Sequence, residues 1–331
     1  MTQDNSSSTQ VPTYYLSSHL GVCAYEAGIR LIAIFVGDKQ IFRGNTPDET
    51  EIGVNKRDLF GGLTKEGGVY GNVRWLPGGP TQTLLTKLAA RLGLTTATCP
   101  GYRGLASLFF TSFEDTGGFY WAANNPYLKP VSVRVRRAPN GLSADYQQID
   151  LPDDSEGNEQ KAANPAGIIY ECLINATWGA GVPTGSIDKQ SFEIAAETLF
   201  DENFGLSMLW TRQSRIEDFI GEILDHIQAV LYNDPAIGKL RIKLLRGDYD
   251  IDTLPAVTPD NARLSNFRRK LWGEISSEVV VTWTNPETEK EQTVTAHDLA
   301  VRAVQGGSRS TSRNYYGVRS EELAIRLAER D

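Results

Sequence analysis

Apolar residues in this 331-residue chain follow different periods on the two sides of an acidic, turn-rich stretch at 150–164 (DLPDDSEGNEQKAAN). Before it, short apolar runs and alternation prevail, the pattern of strands. After it, as far as about position 235, apolar residues return mostly every three or four positions, the pattern of amphipathic helices. Its polar, acidic, turn-rich composition makes this stretch the best domain boundary in the chain. The expected organisation is a polar N-terminal arm at 1–13, a β-rich domain at 14–150 with a glycine-rich insertion near 46–80, a helical connector at 151–235, and a second β-rich domain at 236–331. The fold class is α+β, rich in β.

In the first domain, the run RLIAIFV at 30–36 reads as a strand ending in a Gly37-Asp38 turn, with a second strand at 40–43. Another apolar run lies at 105–110. At 131–135 Val131, Val133 and Val135 alternate with Ser132 and Arg134, a half-buried strand. The glycine-rich stretch 59–79 reads as loops and a hairpin around 69–76. Residues 81–92 read as a helix capped by Thr81, with Leu84, Leu85, Leu88 and Leu92 on one face and Gly93 beyond its end.

In the second half, Asn164-Pro165 opens a helix as cap and first residue, with Ile168, Ile169, Cys172 and Leu173 inward. A further helix is expected at 188–203, ended by Gly205, followed by a strand alternating Leu206, Met208 and Trp210. The longest helix is expected at 215–232, with a Ser214/Glu217 capping box. Its stripe is Ile216, Phe219, Ile220, Ile223, Leu224, Ile227, Val230 and Leu231. The alternation at 239–246 reads as a strand, 277–284 and 291–297 as a hairpin, 305–314 as a loop, and Ser320 as the start of a last helix whose Glu321 and Glu322 suit its N-terminal dipole. The chain stops at Asp331 inside that helix without a C-cap, and further chain is expected beyond it.

Composition narrows the function classes. Hydrophobic residues make up 40% and charged residues 22%, and no apolar run approaches the roughly 20 residues of a membrane span. The start, MTQDNSSSTQ, has neither a basic start nor an apolar core and does not read as a secretory signal. The net charge of −8 argues against a sequence-specific nucleic-acid binder, although a like-charged wall would let DNA pass without sticking. Cys23, Cys99 and Cys172 lie far apart and read as reduced and buried.

Motifs for chemistry are incomplete. The three histidines, His19, His226 and His297, sit in no metal-binding spacing. Asp248, Asp250 and Asp252 resemble the start of a calcium loop, but Thr253 stands where glycine is needed and Pro259 where the closing glutamate belongs. The stretch GLTKEGG at 62–68 lacks the Lys-Ser/Thr pair of a phosphate loop, so its glycines read as turn residues. Arg134, Arg136 and Arg137, and Arg268, Arg269 and Lys270, form small basic patches without interleaved aromatics. Trp75, Trp121, Trp178, Trp210, Trp272 and Trp283 mostly sit in apolar context and read as core. No catalytic, cofactor or metal residue is assigned, and no cofactor is expected.

Several blocks carry a resemblance when taken in order. DLFGGLTKEGGVYG at 58–71, GGPTQ at 78–82, YRGLASL at 102–108 and NPYLKPVSVRVRR at 125–137 resemble the N-terminal part of phage tail-tip hub proteins. These are the central tip, or host-specificity, proteins of lambda-like siphophages and their relatives in gene transfer agents. NPAGIIYECLINATWGAGVPTGSID at 164–188, FGLSMLWTRQSRIED at 204–218 and WGEISSEVVV at 272–281 resemble later blocks of the same family. The resemblance implies tail-tube-like β-barrel hub domains and a structural homotrimer related to the baseplate hubs of contractile tails. Such a ring adapts the six-fold tail tube to a three-fold tip and forms part of the DNA channel or its closure. It implies a place at the virion tail tip after assembly in the host cytoplasm. The implied neighbours are the distal tail or tube protein, other tip proteins, the tape measure and a central fibre. Genomic DNA would pass non-specifically, and contact with the host envelope would be transient. Family members usually run longer, with fibronectin-like and fibre-binding parts after this region. A tail-borne cell-wall hydrolase, which needs paired carboxylates or a metal, and a receptor-binding adhesin, which needs exposed aromatic platforms, stay open as alternatives.

Overall fold

The computed structural model describes residues 12–331, apart from positions 84, 96, 115, 116, 124–126, 156, 158, 209–213, 248, 264, 266, 267 and 270. The expected arm up to position 11, and Leu84, Trp210, Asp248 and Lys270, therefore lie outside the described residues. The fold is α+β and β-rich. The chain divides into two compact units, 1–137 and 138–331.

The first unit contains β1 (Thr13–Leu16), β2 (Ser18–Ala24), β3 (Arg30–Val36), β4 (Lys39–Thr46), β5 (Thr50–Lys56), β6 (Gly68–Leu76), α1 (Thr86–Arg91), β7 (Leu105–Thr111), β8 (Phe119–Ala122) and β9 (Val131–Arg136). The apolar run of β3 forms the middle of a three-stranded antiparallel sheet between β4 and β9. A six-stranded sheet holds the other strands around β6. The two sheets wrap one core as a nearly closed barrel, with Leu31, Ile34 and Ile41 from one and Trp75, Leu108, Phe110, Phe119 and Trp121 from the other.

The expected glycine-rich insertion carries this central strand. One edge of β6 pairs with β5 along its length, from Thr50↔Trp75 to Lys56↔Val69. The other edge is divided: residues 68–70 pair with β8, and residues 72–76 pair with β7. Gly71, at φ +146°, stands where the partner changes; a β-carbon there would lie 2.6 Å from the Thr111 carbonyl oxygen and 2.7 Å from the Phe119 ring. Only glycine fits such an approach. At Gly67 a β-carbon would come within 1.9 Å of the Ala122 carbonyl oxygen, so close strand packing accounts for this glycine.

Helix α1 is half the expected length. The Gln82 side chain accepts from the Gly78 N–H (2.7 Å) and donates to the Gly101 carbonyl (2.7 Å), which holds the preceding residues as a loop. Thr81 is therefore not a cap: the N-cap position falls at Leu85, which makes no side-chain cap bond. Thr13, expected in the arm, instead begins β1 opposite Ala122.

The second unit contains β10 (Gln148–Leu151), β11 (Gln160–Ala163), α2 (Pro165–Ile174), α3 (Lys189–Asp201), α4 (Ile216–Ile227), β12 (Ala229–Asp234), β13 (Lys239–Leu244), β14 (Glu278–Thr284), β15 (Glu291–His297), α5 (Leu299–Gln305), β16 (Ser310–Asn314) and α6 (Glu321–Arg330). The acidic stretch at 150–164 is no boundary in this structure. It is spanned by the β10–β11 hairpin, anchored by buried Ile149, Leu151 and Ala162, with Asp150 on the strand opposite Lys161 and Asp153 and Asp154 between the strands. Likewise, the helices and the C-terminal strands share one core: Phe192, Leu199 and Ile223 cluster with Ile242, Val281, Trp283 and Leu327.

Asn164 caps α2 by accepting from the Ala166 N–H (3.0 Å) and ties it to α3 by donating to the Ala196 carbonyl (2.8 Å). Helix α4 ends five residues before its expected limit. Gln228 takes the left-handed conformation (φ +49°, ψ +65°), and the chain continues as β12 against β13. Arg215, and not the expected Ser214, stands at its N-cap, and makes no side-chain cap bond. The β14–β15 hairpin forms where it is expected, with Glu278 opposite His297 and Thr284 opposite Glu291. The expected loop at 305–314 holds β16, which adds to β14 in parallel. Leu206 makes single bridges to Ala163 and Val318. Ser320 caps α6, accepting from the Leu323 N–H.

Candidate functional site

The three histidines go to separate places. His19 on β2 lies 2.9 Å from the Ser107 hydroxyl and edge-on to Tyr102; burial lowers its pKa. His297 lies 3.4 Å from the Glu278 carboxylate in the β14–β15 hairpin. Asp250 caps a single short turn through the Asp252 N–H. Arg137 pairs with Glu26 at 3.5 Å, and Arg268 pairs with Glu274. The three cysteines form no disulfide with one another: Cys99 and Cys172 are buried, and Cys23 is half-buried. Trp75, Trp121 and Trp283 are core residues, whereas Trp178 and Trp272 are exposed. Among the described residues, no group of three or more His, Cys, Asp or Glu is placed to hold a metal ion.

A cluster of titratable groups surrounds His226, at the end of α4 and 4% exposed. Its Nδ1 is 2.6 Å from the Glu222 carbonyl oxygen, one helical turn back. A carbonyl only accepts, so Nδ1 carries the proton and Nε2 presents a lone pair. Nε2 has no hydrogen-bond partner among the described residues. Burial lowers the His226 pKa and outweighs the opposing pull of Glu222.

The C-terminal elements close over this histidine. Tyr315 and Tyr316 meet its ring edge-on, at centroid distances of 4.8 and 6.1 Å. Arg330, from α6, donates through Nη1 to the His226 carbonyl (2.7 Å) and through Nη2 to the Tyr315 hydroxyl oxygen (3.0 Å). Its Nε meets the Asp331 carboxylate at 2.9 Å. The Tyr315 hydroxyl donates to Asp331, and the Tyr316 hydroxyl donates to Glu222. Burial, reinforced by Asp331, pushes the Tyr315 pKa up to about 12. These groups border a cavity of about 850 Å³ that also reaches Gln228, Val230 and Arg313.

The arrangement fastens helix ends together. Arg330 satisfies a last-turn carbonyl of α4, as a cation at a helix C-terminus should. At the same end, Arg246 donates to the Ile227 carbonyl (2.9 Å) and grips Glu202 with a two-pronged ion pair (2.6 and 2.8 Å). His226 polarises no hydroxyl or thiol, because its free nitrogen touches none of the described ones. Sequence reasoning singled out His226 but missed Tyr315, Tyr316, Arg330 and Asp331, since nothing local announces a contact between residues 104 positions apart.

Exposed aromatic and apolar side chains form the other notable surfaces. Tyr14, Tyr15 and Leu16 line β1, and Tyr249, Ile251, Leu254, Val257, Leu271 and Trp272 lie along an irregular stretch after β13.

Residues 215–331, the segment from the start of α4 to the end of α6, match a family described as putative phage tail protein. A chain in the virion of a native gene transfer agent particle is similar at 18% identity and a TM-score of 0.44, over 96% of this chain. This chain spans 65% of the length of that one. No curated protein matches the sequence.

Proposed function

We propose that this chain is a structural subunit of a phage-type tail, and that it serves as a trimeric hub at the tail tip. The observation that carries this reading is the match of 215–331 to a phage-tail family. That segment supplies α4, β14 and α6 to the core of the second unit. As a hub, the protein would adapt the six-fold tube to a three-fold tip and surround or close part of the DNA path. Its neighbours would be the tube or distal tail protein, other tip proteins, the tape measure and a central fibre. Its place would be the virion tail tip, and its role would be structural.

The architecture suits assembly. The sheet path of the first unit ends on β1 and β2 at its two extremes, and the smaller sheet ends on β4 and β9. Open edges seek partners, and a closed ring satisfies them without leaving free surfaces. With 41 acidic against 33 basic residues, a channel wall would repel DNA and let it slide.

Light scattering on the purified protein at micromolar concentration, together with a map of intact tails, tests the reading. Three copies in one ring at the tip are expected. A monomer within the particle, or six copies per ring, would overturn it.

A further inference from the structure

On the outer face of the larger sheet of the first unit, a guanidinium rests on aromatic rings. Arg57 follows β5 directly. Its guanidinium carbon lies 3.8 Å from the Tyr70 ring centre and 5.0 Å from that of Tyr120. Tyr15 on β1, opposite Tyr120 in the ladder, adds its ring at 5.5 Å, and Phe113 meets Tyr70 at 4.7 Å. Tyr15 is 67% exposed and Phe113 38%. Further along the same sheet the guanidinium already has its partners: Arg74 pairs with Glu49 and Glu51, each at 2.8 Å. Arg57 makes no ion pair among the described residues. Ring stacking holds its donor fork in place before any partner arrives. Tyrosine and arginine on a pre-ordered surface are the composition of an interface hot spot.

The occupant must bring a carboxylate and accept aromatic contact. The β10–β11 hairpin of the second unit offers one. Lys161 pairs with both Asp150 and Glu159, each at 3.0 Å. Asp153, in the exposed turn, has no ion-pair or hydrogen-bond partner among the described residues. Beside it stands exposed Pro152, an apolar ring suited to a tyrosine face. We infer that the hairpin turn bearing Asp153 in one copy docks on the Arg57–tyrosine face of the next copy. This is a head-to-tail contact of the kind that closes rings. It rests on the assembly reading above and names the surfaces by which copies join.

Charge reversal and its rescue test the contact. Arg57→Asp should shift the midpoint of assembly to at least tenfold higher concentration, read by light scattering across a dilution series of the full chain. Arg57→Asp combined with Asp153→Arg should restore it. Tyr15→Ala, at an exposed site that leaves the core intact, should weaken assembly as well and serves if Arg57→Asp fails to fold. A ring unchanged by Arg57→Asp or by Tyr15→Ala, or a double variant no better than Arg57→Asp alone, overturns the docking inference and leaves the hub standing. A wild-type chain monomeric at every concentration, alone and in tails, overturns both.

Discussion

At Gln228 a single backbone conformation turns a helix into a strand. A left-handed residue after a helix normally falls to glycine, because a β-carbon there crowds the next carbonyl. Gln228 accepts that strain, and α4 passes into β12 in one step. Gln228→Gly is therefore expected to stabilise the protein by up to about 1 kcal/mol, and Gln228→Val to destabilise it by roughly 1–2 kcal/mol. Urea midpoints measure both, and equal midpoints would show that the bend is not strained. Two residues earlier, His226 gives a pH signature. Its folded pKa lies below the ordinary 6.5 because the ring is buried. The unfolded chain therefore takes up a proton first. The stabilisation is complete above about 6.5 and falls away as pH drops below it. His19 shifts in the same direction, so the measurement is the difference between wild type and His226→Gln. The variant should lose less stability between pH 7.5 and 5.5, and parallel curves would refute the assignment. Tyr315 works at the other end. Raised from 10 to about 12, its contribution holds below pH 10 and is lost as pH climbs through 12. Tyr315→Phe should flatten that alkaline decline in the same denaturant titration.

At the scale of elements, what could be read from the sequence depended on whether the signal was local. Strand β3, the β14–β15 hairpin, α2 with its Asn164 cap and α6 with its Ser320 cap each carry their own pattern and turn chemistry within a few residues. Strands β1, β2, β5 and β8 are short or mixed in polarity and gain strand character from partners far along the chain, as Tyr15 does from Tyr120. Strand β6 looked like a hairpin in a glycine-rich insertion because its glycines serve close strand contacts visible only in the folded sheet. The apolar stripe from Ile216 to Leu231 misled for a different reason. Val230 and Leu231 continue a helical spacing by coincidence, but β12 pairs them with Lys243 and Ile242. This division can be tested. Ile223, fully buried on α4, should cost about 2–5 kcal/mol when changed to alanine. Val230→Ala, on the exposed side of β12, should cost roughly 0.5 kcal/mol or less. Comparable losses would restore the single long helix. The His226 cluster was beyond sequence reasoning, since its parts come from α4, the residues after β16, and α6.

For the whole molecule, the two units carry separate cores. Leu31, Trp75 and Phe110 belong to one cluster, and Phe192, Ile223 and Val281 to another. The division falls at 137/138, before the acidic hairpin and not within it. This matters for a protein proposed to work in a ring, because a barrel and a helix-backed sheet with independent cores can each meet a different neighbour. It also predicts how damage spreads. Large-to-small changes in a core act through the cavity they leave, and the cavity is felt by the atoms that line it. Leu31→Ala should therefore lower hydrogen-exchange protection across β3, β4, β9 and the facing strands of the first unit. Protection in α3, β14 and α6 should stay at its wild-type level. Ile223→Ala should do the reverse. Local and sub-global openings follow cooperative units of this kind. Peptide-resolved exchange on the full chain separates the outcomes without cutting it. If either substitution loosened both sets of peptides equally, the chain would unfold as one body. The boundary would then describe the path of the chain without describing how its stability is divided.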